Sequence, residues 1–490
     1  MARLLRPVST TRAARSSDVA IAAVPLGLAL VALTGNWTGQ GEIALLAGVL
    51  TASCGLILVR SLKGGWGALG RTTIVAGVLG WYCYPSMLDV FGQSASCDAT
   101  QAIERTAYVS ALTGIAAFLA TACLVWSLAA VVRPSPDPPR ADADPTLWAG
   151  LLCLAGLVPF SVTGQSVWHI VTTILASRAE EKIWRQVQPL GDASSAWWYL
   201  ASSAMVAGAA LLWVSVAVRG WARSKIALVI AAAATAILFF DSGTRSLFTL
   251  IVLPPLLLVL HRISRVSRIR ALAAGLAAGA LLVFALQLQM AYRSEATRER
   301  LSDALTQDIW LLGGTIDYFC ETVVSYELVP ALHAPFRESV ALEFAVSPIP
   351  RFLWPSKPVS TLVAFFTDQR GRGQAYDAGG TILPGVVGQY YMNWGWFGVV
   401  LVGAGAGLLA SFLDSRIGEA LRLQRSYRAA VALMLATWAL VSFRLVSPGF
   451  LYPVLFAAAI LAVSRLRFRR TAAVQRSSGS PHAPGAPTTT

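Results

Sequence analysis

The sequence predicts an all-α polytopic membrane protein of about twelve spans, and three observations predict it. Apolar runs recur along nearly the whole chain, charge is scarce, and basic residues gather in alternate gaps between the runs. Of the 490 residues, 56% are hydrophobic and 13% charged, whereas a soluble domain carries about 25% charged residues. The runs fall near 19–33, 41–59, 72–92, 107–132, 146–163, 196–218, 226–240, 246–261, 271–289, 395–413, 429–446 and 449–464. Most suit a hydrocarbon core about 30 Å thick at about 1.5 Å per helical residue. No small-residue cleavage site follows the first run, Val19 to Leu33, so it reads as a retained signal anchor. The runs 226–240 and 246–261 are short and separated only by Asp241 to Arg245. A re-entrant hairpin would fit them, but two spans keep the charge pattern consistent.

Orientation follows from Lys and Arg. The N-terminal segment 1–18 holds Arg3, Arg6, Arg12 and Arg15. Alternate loops then hold Arg60, Lys63 and Arg71; Arg133 and Arg140; Arg219, Arg223 and Lys225; Arg262, Arg265, Arg268 and Arg270; and Arg416, Arg422, Arg425 and Arg428. With the tail's Arg465, Arg467, Arg469, Arg470 and Arg476, roughly two thirds of the 39 basic residues fall on one side. The positive-inside rule makes that side, and both termini, cytoplasmic. The chain then divides into a basic N-terminus (1–18), nine spans (19–289), a large outer loop between the ninth and tenth spans (290–394), three spans (395–464) and a basic tail (465–490). The Ser/Pro/Thr/Gly-rich stretch from Thr471 reads as disordered. The basic clusters alternate with apolar runs rather than forming one patch, which argues against nucleic acid despite the net charge of +14. Four His and six Cys show no metal-binding spacing, and no internal repeat is visible.

Two outer loops stand out. In Gly164 to Ser195, Val167, Ile170, Val171, Ile174 and Leu175 recur at helical spacing. An amphipathic helix on the outer leaflet and a helix packed on protein fit this equally. The loop 290–394, on the order of 100 residues, far exceeds an ordinary connection. Its first part, Tyr292 to Leu332, reads as helical. Its middle, Ser347 to Pro358, has too many prolines for a helix. Its end, Gly379 to Gly398, is apolar enough to dip back into the membrane, which irregular backbone does where it lines a cavity. An outward-facing cavity roofed by this loop is the expectation.

The outer side keeps few basic residues, so each is a functional candidate. Arg245 closes the turn DSGTR, Arg293 follows the ninth span, Arg351 and Lys357 flank a Trp in PRFLWPSKP, Arg370 and Arg372 lie in DQRGRG, and Arg444 ends the eleventh span. Several Arg converging on one cavity suit a lipid-linked diphosphate, because guanidinium grips phosphate bidentately. The plainer readings are pairing with Asp241 for Arg245, solvation for Arg370 and Arg372, and snorkelling to headgroups for Arg444. Candidate general bases are Asp317, Glu321, Glu327, His333, Glu343, Asp368 and Asp377, which sequence alone does not rank. The aromatics Trp81 to Pro85 and Trp197 to Tyr199 read as an interfacial belt. The pairs Gly275 with Gly279 and Gly403 with Gly407 read as helix-packing spacings. Cys97 and Cys320 both fall outside, where a disulfide between them is one option.

The run IPRFLWPSKP, followed after a Gly-rich stretch by GQYYMNWGWFGVVLVG, resembles bacterial oligosaccharide repeat-unit polymerases, the Wzy-type O-antigen and exopolysaccharide polymerases. SGTR at Ser242 to Arg245 resembles that family's small-residue-plus-Arg turn. The resemblance covers roughly 240 to 410 in sequence and the whole chain in topology. It implies a GT-C-like glycosyltransferase at the outer face. Such an enzyme transfers a growing glycan from polyprenyl diphosphate to the sugar of a second lipid-linked repeat unit. Arg245, Arg351, Lys357 and Asn393 are the implied site residues, and the residue reading adds Arg293 and Arg444. Where the family carries Glu, this chain has Gln389, which is no base and is expected to bind sugar as an amide. No metal or other cofactor is expected where Arg and Lys supply the charge. The implied partners are polyprenyl-diphosphate-linked oligosaccharide, the lipid bilayer and other polysaccharide-assembly proteins. A glycan ligase and a flippase or transporter are the alternatives. An acidic pair in the first outer loop, the mark of transferases using polyprenyl-phosphate sugars, is missing from Gly35 to Glu42.

Overall fold

The computed structural model describes residues 23–31, 40–90, 105–129, 144–158, 192–242, 245–293, 318–338, 340–346, 349, 353–354, 356–357, 361–369, 383–444, 446 and 448–478. Among these residues the protein is all-α, without a strand. Residues 23–31 are helical. The helices that follow are α1 (Gln40–Lys63), α2 (Leu69–Val78), α3 (Tyr84–Val90), α4 (Arg105–Ala129), α5 (Thr146–Ala155), α6 (Asp192–Arg219), α7 (Lys225–Ser242), α8 (Arg245–Val266), α9 (Arg268–Arg293), α10 (Tyr318–Ala331), α11 (Val340–Val346), α12 (Thr361–Gln369), α13 (Gly385–Arg422), α14 (Ser426–Ser442) and α15 (Pro448–Ser478). One π-helical turn, Leu79–Cys83, joins α2 to α3.

Six helices are long and apolar enough to cross a membrane: α1, α4, most of α6, α8, α9 and α13. Thr146–Ala155, Lys225–Phe240, Ser426–Ser442 and Phe450–Arg465 are shorter apolar helices. Where it is described, each apolar run read from sequence is mostly helical. Two large buried clusters form the core, with a smaller one of Val324, Leu328, Val329, Leu362, Phe366 and Met392 between α10, α12 and α13. Of the large two, one is built from α1, α2, α4, α10 and the first half of α13. The other is built from α5 to α8, α14, α15 and the end of α13.

Polar contacts between elements gather toward the two ends of the helices. At the basic end, Arg71 Nε donates to Asp414 Oδ2 at 2.7 Å. There too Arg219 pairs with Asp144, Arg265 donates to the Leu421 carbonyl, and Trp66 meets His261 edge-on. At the opposite end, Trp81 donates to the Leu440 carbonyl and Tyr82 Oη to the Phe443 carbonyl.

Helix α13 is 38 residues long and breaks at Gly395, where φ is +61°. L-residues avoid that region, so glycine makes the break possible. The break falls on the boundary read from sequence between the outer loop and the tenth span. The segment 385–394 is therefore a half-helix, and Val386, Val387, Gly388, Gln389, Met392 and Asn393 in it are buried. Loop helix α10 is buried as well and packs against α4 and α13. The outer loop thus does enter the bundle, as helix rather than as irregular backbone. Below the break α13 lies directly on α4: a Cβ on Gly407 would stand 2.5 Å from the Ala122 carbonyl oxygen.

Four expectations need correction. Gly275 and Gly279 make no comparable packing contact; a Cβ on Gly279 meets nothing within 4 Å. Tyr82 is no belt residue but fully buried, because its hydroxyl finds partners inside. Arg444 does not simply reach for headgroups, as its contacts below show. The tail from Thr471 is helical through Ser478, since Ala and Arg favour helix and Pro comes only later. The loop Gly164 to Ser195 lies almost wholly outside the described residues, as do the chain ends 1–22 and 479–490.

Candidate functional site

The half-helix 385–394 is held in place before it presents anything. The Val386 N–H donates to the Phe443 carbonyl at 3.0 Å, and the Val387 N–H to Tyr82 Oη at 3.3 Å. Thr322 Oγ1 donates to the Pro384 carbonyl at 3.0 Å. Gln389 Oε1 accepts the Val446 N–H at 3.1 Å, and the side chain is buried. Gln389 thereby ties the half-helix to the α14–α15 turn. A neutral amide suits this buried position better than the carboxylate of the resembled family.

Asn393 also turns inward. Only 1% of it is exposed, and its Oδ1 accepts the Glu338 N–H at 3.1 Å. Its carbonyl accepts the Arg337 N–H at 3.0 Å, and the Met392 carbonyl accepts the Phe336 N–H at 3.1 Å. The half-helix end is thereby a dock for residues 336–338. Arg337 sits at φ +56°, a region costly for a residue with a side chain, and it is exposed. No sequence signal announces that conformation, and Arg337 was absent from the candidate cations.

On the other flank, Arg444 Nε donates to Tyr318 Oη at 2.5 Å and Nη1 to Ser246 Oγ at 3.3 Å. The guanidinium lies 5.5 Å from the centre of the Tyr318 ring, and Trp81 meets that ring edge-on at 5.2 Å. Arg444 is therefore a fixed cation joining α8, α10 and α14. Arg245 precedes Ser246 in the chain, so its backbone stands beside this cluster at the start of α8. Arg293 ends α9, which follows α8 after Ser267 and contacts it. The side chains of Arg245 and Arg293, and the whole of Arg351, Arg370, Arg372, Asp317 and Asp377, lie outside the described residues.

The loop helices supply the acid–base groups. Glu338 Oε1 accepts the Thr361 N–H at 2.6 Å, Thr361 Oγ1 at 2.7 Å and the Leu362 N–H at 3.2 Å, and so caps α12. Glu343 in α11 is half-buried and interacts electrostatically with Glu338, Lys357 and Tyr390. Burial first, and then the Glu338 charge, raise its carboxyl above the ordinary glutamate value, while the Lys357 ammonium opposes them. Lys357 is set by a tight turn: its N–H donates to the Trp354 carbonyl at 3.0 Å and its Nζ to the Ile349 carbonyl at 3.1 Å. Among the sequence-named bases, Glu321 is buried in α10, Asp368 is exposed, and His333 is exposed and stacks on Phe336. Glu343 feels the charge of Lys357 and acts electrostatically on Tyr390 of the half-helix.

Arg444 with Tyr318 and Ser246 lies beside the turn that Gln389 holds, and Glu343 lies in the loop that docks on Asn393. Gln389 and Asn393 are about 6 Å apart along the half-helix axis at about 1.5 Å per residue. Such groups can hold an anion and accept a proton. Cys320 is disulfide-bonded, and Cys97 lies outside the described residues. In comparisons with known proteins, no family model matches the chain, and neither a curated protein nor a solved structure does.

Proposed function

We propose that the protein polymerises polyprenyl-diphosphate-linked oligosaccharide repeat units at the outer face of the cytoplasmic membrane, as a GT-C-like glycosyltransferase with about twelve spans and both termini inside. The observation that supports this reading is the half-helix 385–394, tied at one position to the turn next to the fixed Arg444 and at another to the loop that bears Glu343, whose carboxyl burial raises. Transfer needs both kinds of group. An acceptor sugar hydroxyl attacks the anomeric carbon of the donor, a new C–O bond forms, and the anomeric bond to diphosphate breaks. The diphosphate leaves with the electron pair, and the hydroxyl proton passes to the Glu343 carboxylate. Arg444, with Arg245, Arg293 and Arg351 from the same outer segments, stabilises the charge growing on the diphosphate. The Lys357 charge opposes the rise that burial and Glu338 impose on Glu343. Asn393 and Gln389 act as positioning residues.

The test is glycan chain length in cells with the wild type, a deletion, Arg351→Ala or Arg444→Ala, with expression checked. Single repeat units on the cell surface in the deletion and in both variants are expected. Repeat units trapped inside the cell would overturn the reading and put a flippase in its place.

A further inference from the structure

The corner where α8 gives way to α9, at the basic end, holds more positive charge than its own structure uses. Arg262, Arg265, Arg268 and Arg270 fall close together in the chain, and all four are exposed. Arg265 Nη2 donates to the Leu421 carbonyl at 3.0 Å, which brings the exposed Arg422 to the same corner. Arg262 Nη1 donates to the Ala217 carbonyl. Both guanidiniums are thereby held in place, and each carries more N–H groups than these bonds use. Among the described residues no acid pairs with any of these five arginines. The acids near this end are taken: Asp414 by Arg71, Asp144 by Arg219, and Glu419 by Arg416 and Arg425. Like charges gathered in this way repel one another, and a bound anion relieves the repulsion.

Helix α9, which starts from this corner, lies open along its length. It is long and apolar enough to cross a membrane, yet none of residues 268–286 is buried. Ile269, Leu272 and Leu276 recur at helical spacing on one exposed face, and Arg268 and Arg270 flank its first residue. Between that face and α8 the surface is shallow. A Cβ on Gly275 would come no closer than 3.9 Å to Leu260, and one on Gly279 would meet nothing within 4 Å. The two glycines thus leave a strip of small residues beside an exposed apolar face, with the arginines at its end. The combination selects the occupant. A soluble phosphate uses the arginines and leaves the apolar strip without a part. A second copy packed α9 against α9 in the same orientation sets its own arginines against these. An anionic phospholipid uses both features, with its phosphate on guanidinium and an acyl chain on α9.

We propose that an anionic phospholipid binds at this corner, its phosphate held by Arg265, Arg268, Arg270 and Arg422 and an acyl chain laid along the Gly275–Gly279 strip of α9. This goes beyond the polymerase reading and does not rest on it. Native mass spectrometry tests it on the purified full chain in detergent, titrated with phosphatidylglycerol or with phosphatidylcholine of the same acyl chains. The wild type is expected to retain phosphatidylglycerol in preference to phosphatidylcholine. The double variant Arg268→Gln with Arg270→Gln should weaken that retention by about 30-fold, at about 1 kcal/mol for each arginine lost. Arg60→Gln with Lys63→Gln removes the same charge from the end of α1, in the other core cluster, and should leave retention unchanged. Gly279→Leu sends its side chain into open space and should weaken retention by filling the strip. Glycerol 3-phosphate, a headgroup phosphate without chains, should not displace the lipid. Size exclusion shows whether each variant is folded, and the single variants at 268 and 270 carry the test if the double variant is not. Equal retention of the two lipids, or equal loss in the two double variants, overturns the proposal. Displacement by glycerol 3-phosphate, or retention untouched by Gly279→Leu, removes the lipid and leaves a site for soluble phosphate.

Discussion

Asn393→Ala tests whether the dock on the half-helix is what positions the loop that bears Glu343 and Lys357. Three hydrogen bonds hold residues 336–338: the N–H groups of Phe336, Arg337 and Glu338 bond to the Met392 carbonyl, the Asn393 carbonyl and Asn393 Oδ1, at 3.1, 3.0 and 3.1 Å. Alanine removes only the third. One net hydrogen bond is worth about 0.5–1.5 kcal/mol. Asn393 is 1% exposed, so truncation also leaves a small void, and the sum is about 1–2 kcal/mol. That raises the undocked population by about 5- to 30-fold. Hydrogen exchange reads it directly: protection of the Glu338 amide should fall by about that factor, while α10 keeps its own. Surface glycan should shorten in parallel, because Glu343 and Lys357 follow this segment. Unchanged protection at Glu338 would refute the dock. Equal loss throughout α10 would show a global effect instead.

Three further outcomes are expected. Gly407→Leu should lower the amount of folded protein, costing about 1–3 kcal/mol or more by overpacking, because its Cβ would stand 2.5 Å from the Ala122 carbonyl oxygen. Gly279→Ala, facing open space, should leave the thermal midpoint nearly unchanged, and unfolding in detergent compares the two. The raised Glu343 pKa has a definite sign: the folded protein holds that proton more tightly, so the contribution to stability is complete below the ordinary glutamate value and is lost as pH rises through the folded value. Polymer formed by isolated membranes should rise over the same window as the carboxylate forms, and Glu343→Gln should abolish both activity and rise; a pH profile unaltered by Glu343→Gln removes its role as base. Finally, non-reducing peptide mapping should join Cys320 to Cys97 and find Cys54, Cys83, Cys123 and Cys153 alkylated as free thiols; a free Cys97 would contradict this.

The helices were legible in the sequence because burial in lipid or in a core selects the same long apolar runs. The kink was legible as a change in composition at 394, since the break needs Gly395 and the flanking runs differ in polarity. Side-chain roles were much less legible. Gln389 and Asn393 occupy motif positions, yet both point into protein, and a buried amide looks in sequence like one that binds ligand. Glu338 and Glu343 are five residues apart in one loop, but one caps α12 and the other faces Lys357. That difference depends on how α11 and α12 fold back. The left-handed Arg337 has no signature, because its conformation is imposed by the dock rather than by its own preference.

The N-terminus of the half-helix bears on how the proposed diphosphate would be held. A helix N-terminus at a site entrance would ordinarily offer free N–H groups and a partial positive charge to an anion. Here the N–H groups of Val386 and Val387 are committed to the Phe443 carbonyl and to Tyr82 Oη, and Tyr82 is fully buried. That end is therefore closed to ligand. Any anion at this end of the bundle falls to side chains, and Arg444 is the cation fixed there by two hydrogen bonds and an aromatic face. Lysine at 444 would keep the charge but lose the geometry, since an ammonium cannot span Tyr318 and Ser246 as the planar fork does. Arg444→Lys should therefore lose most of the chain-extension activity of the wild type, even in membranes where its folded amount is equal. Full activity in Arg444→Lys would mean that charge alone suffices, and the fixed fork would have no part in holding the diphosphate.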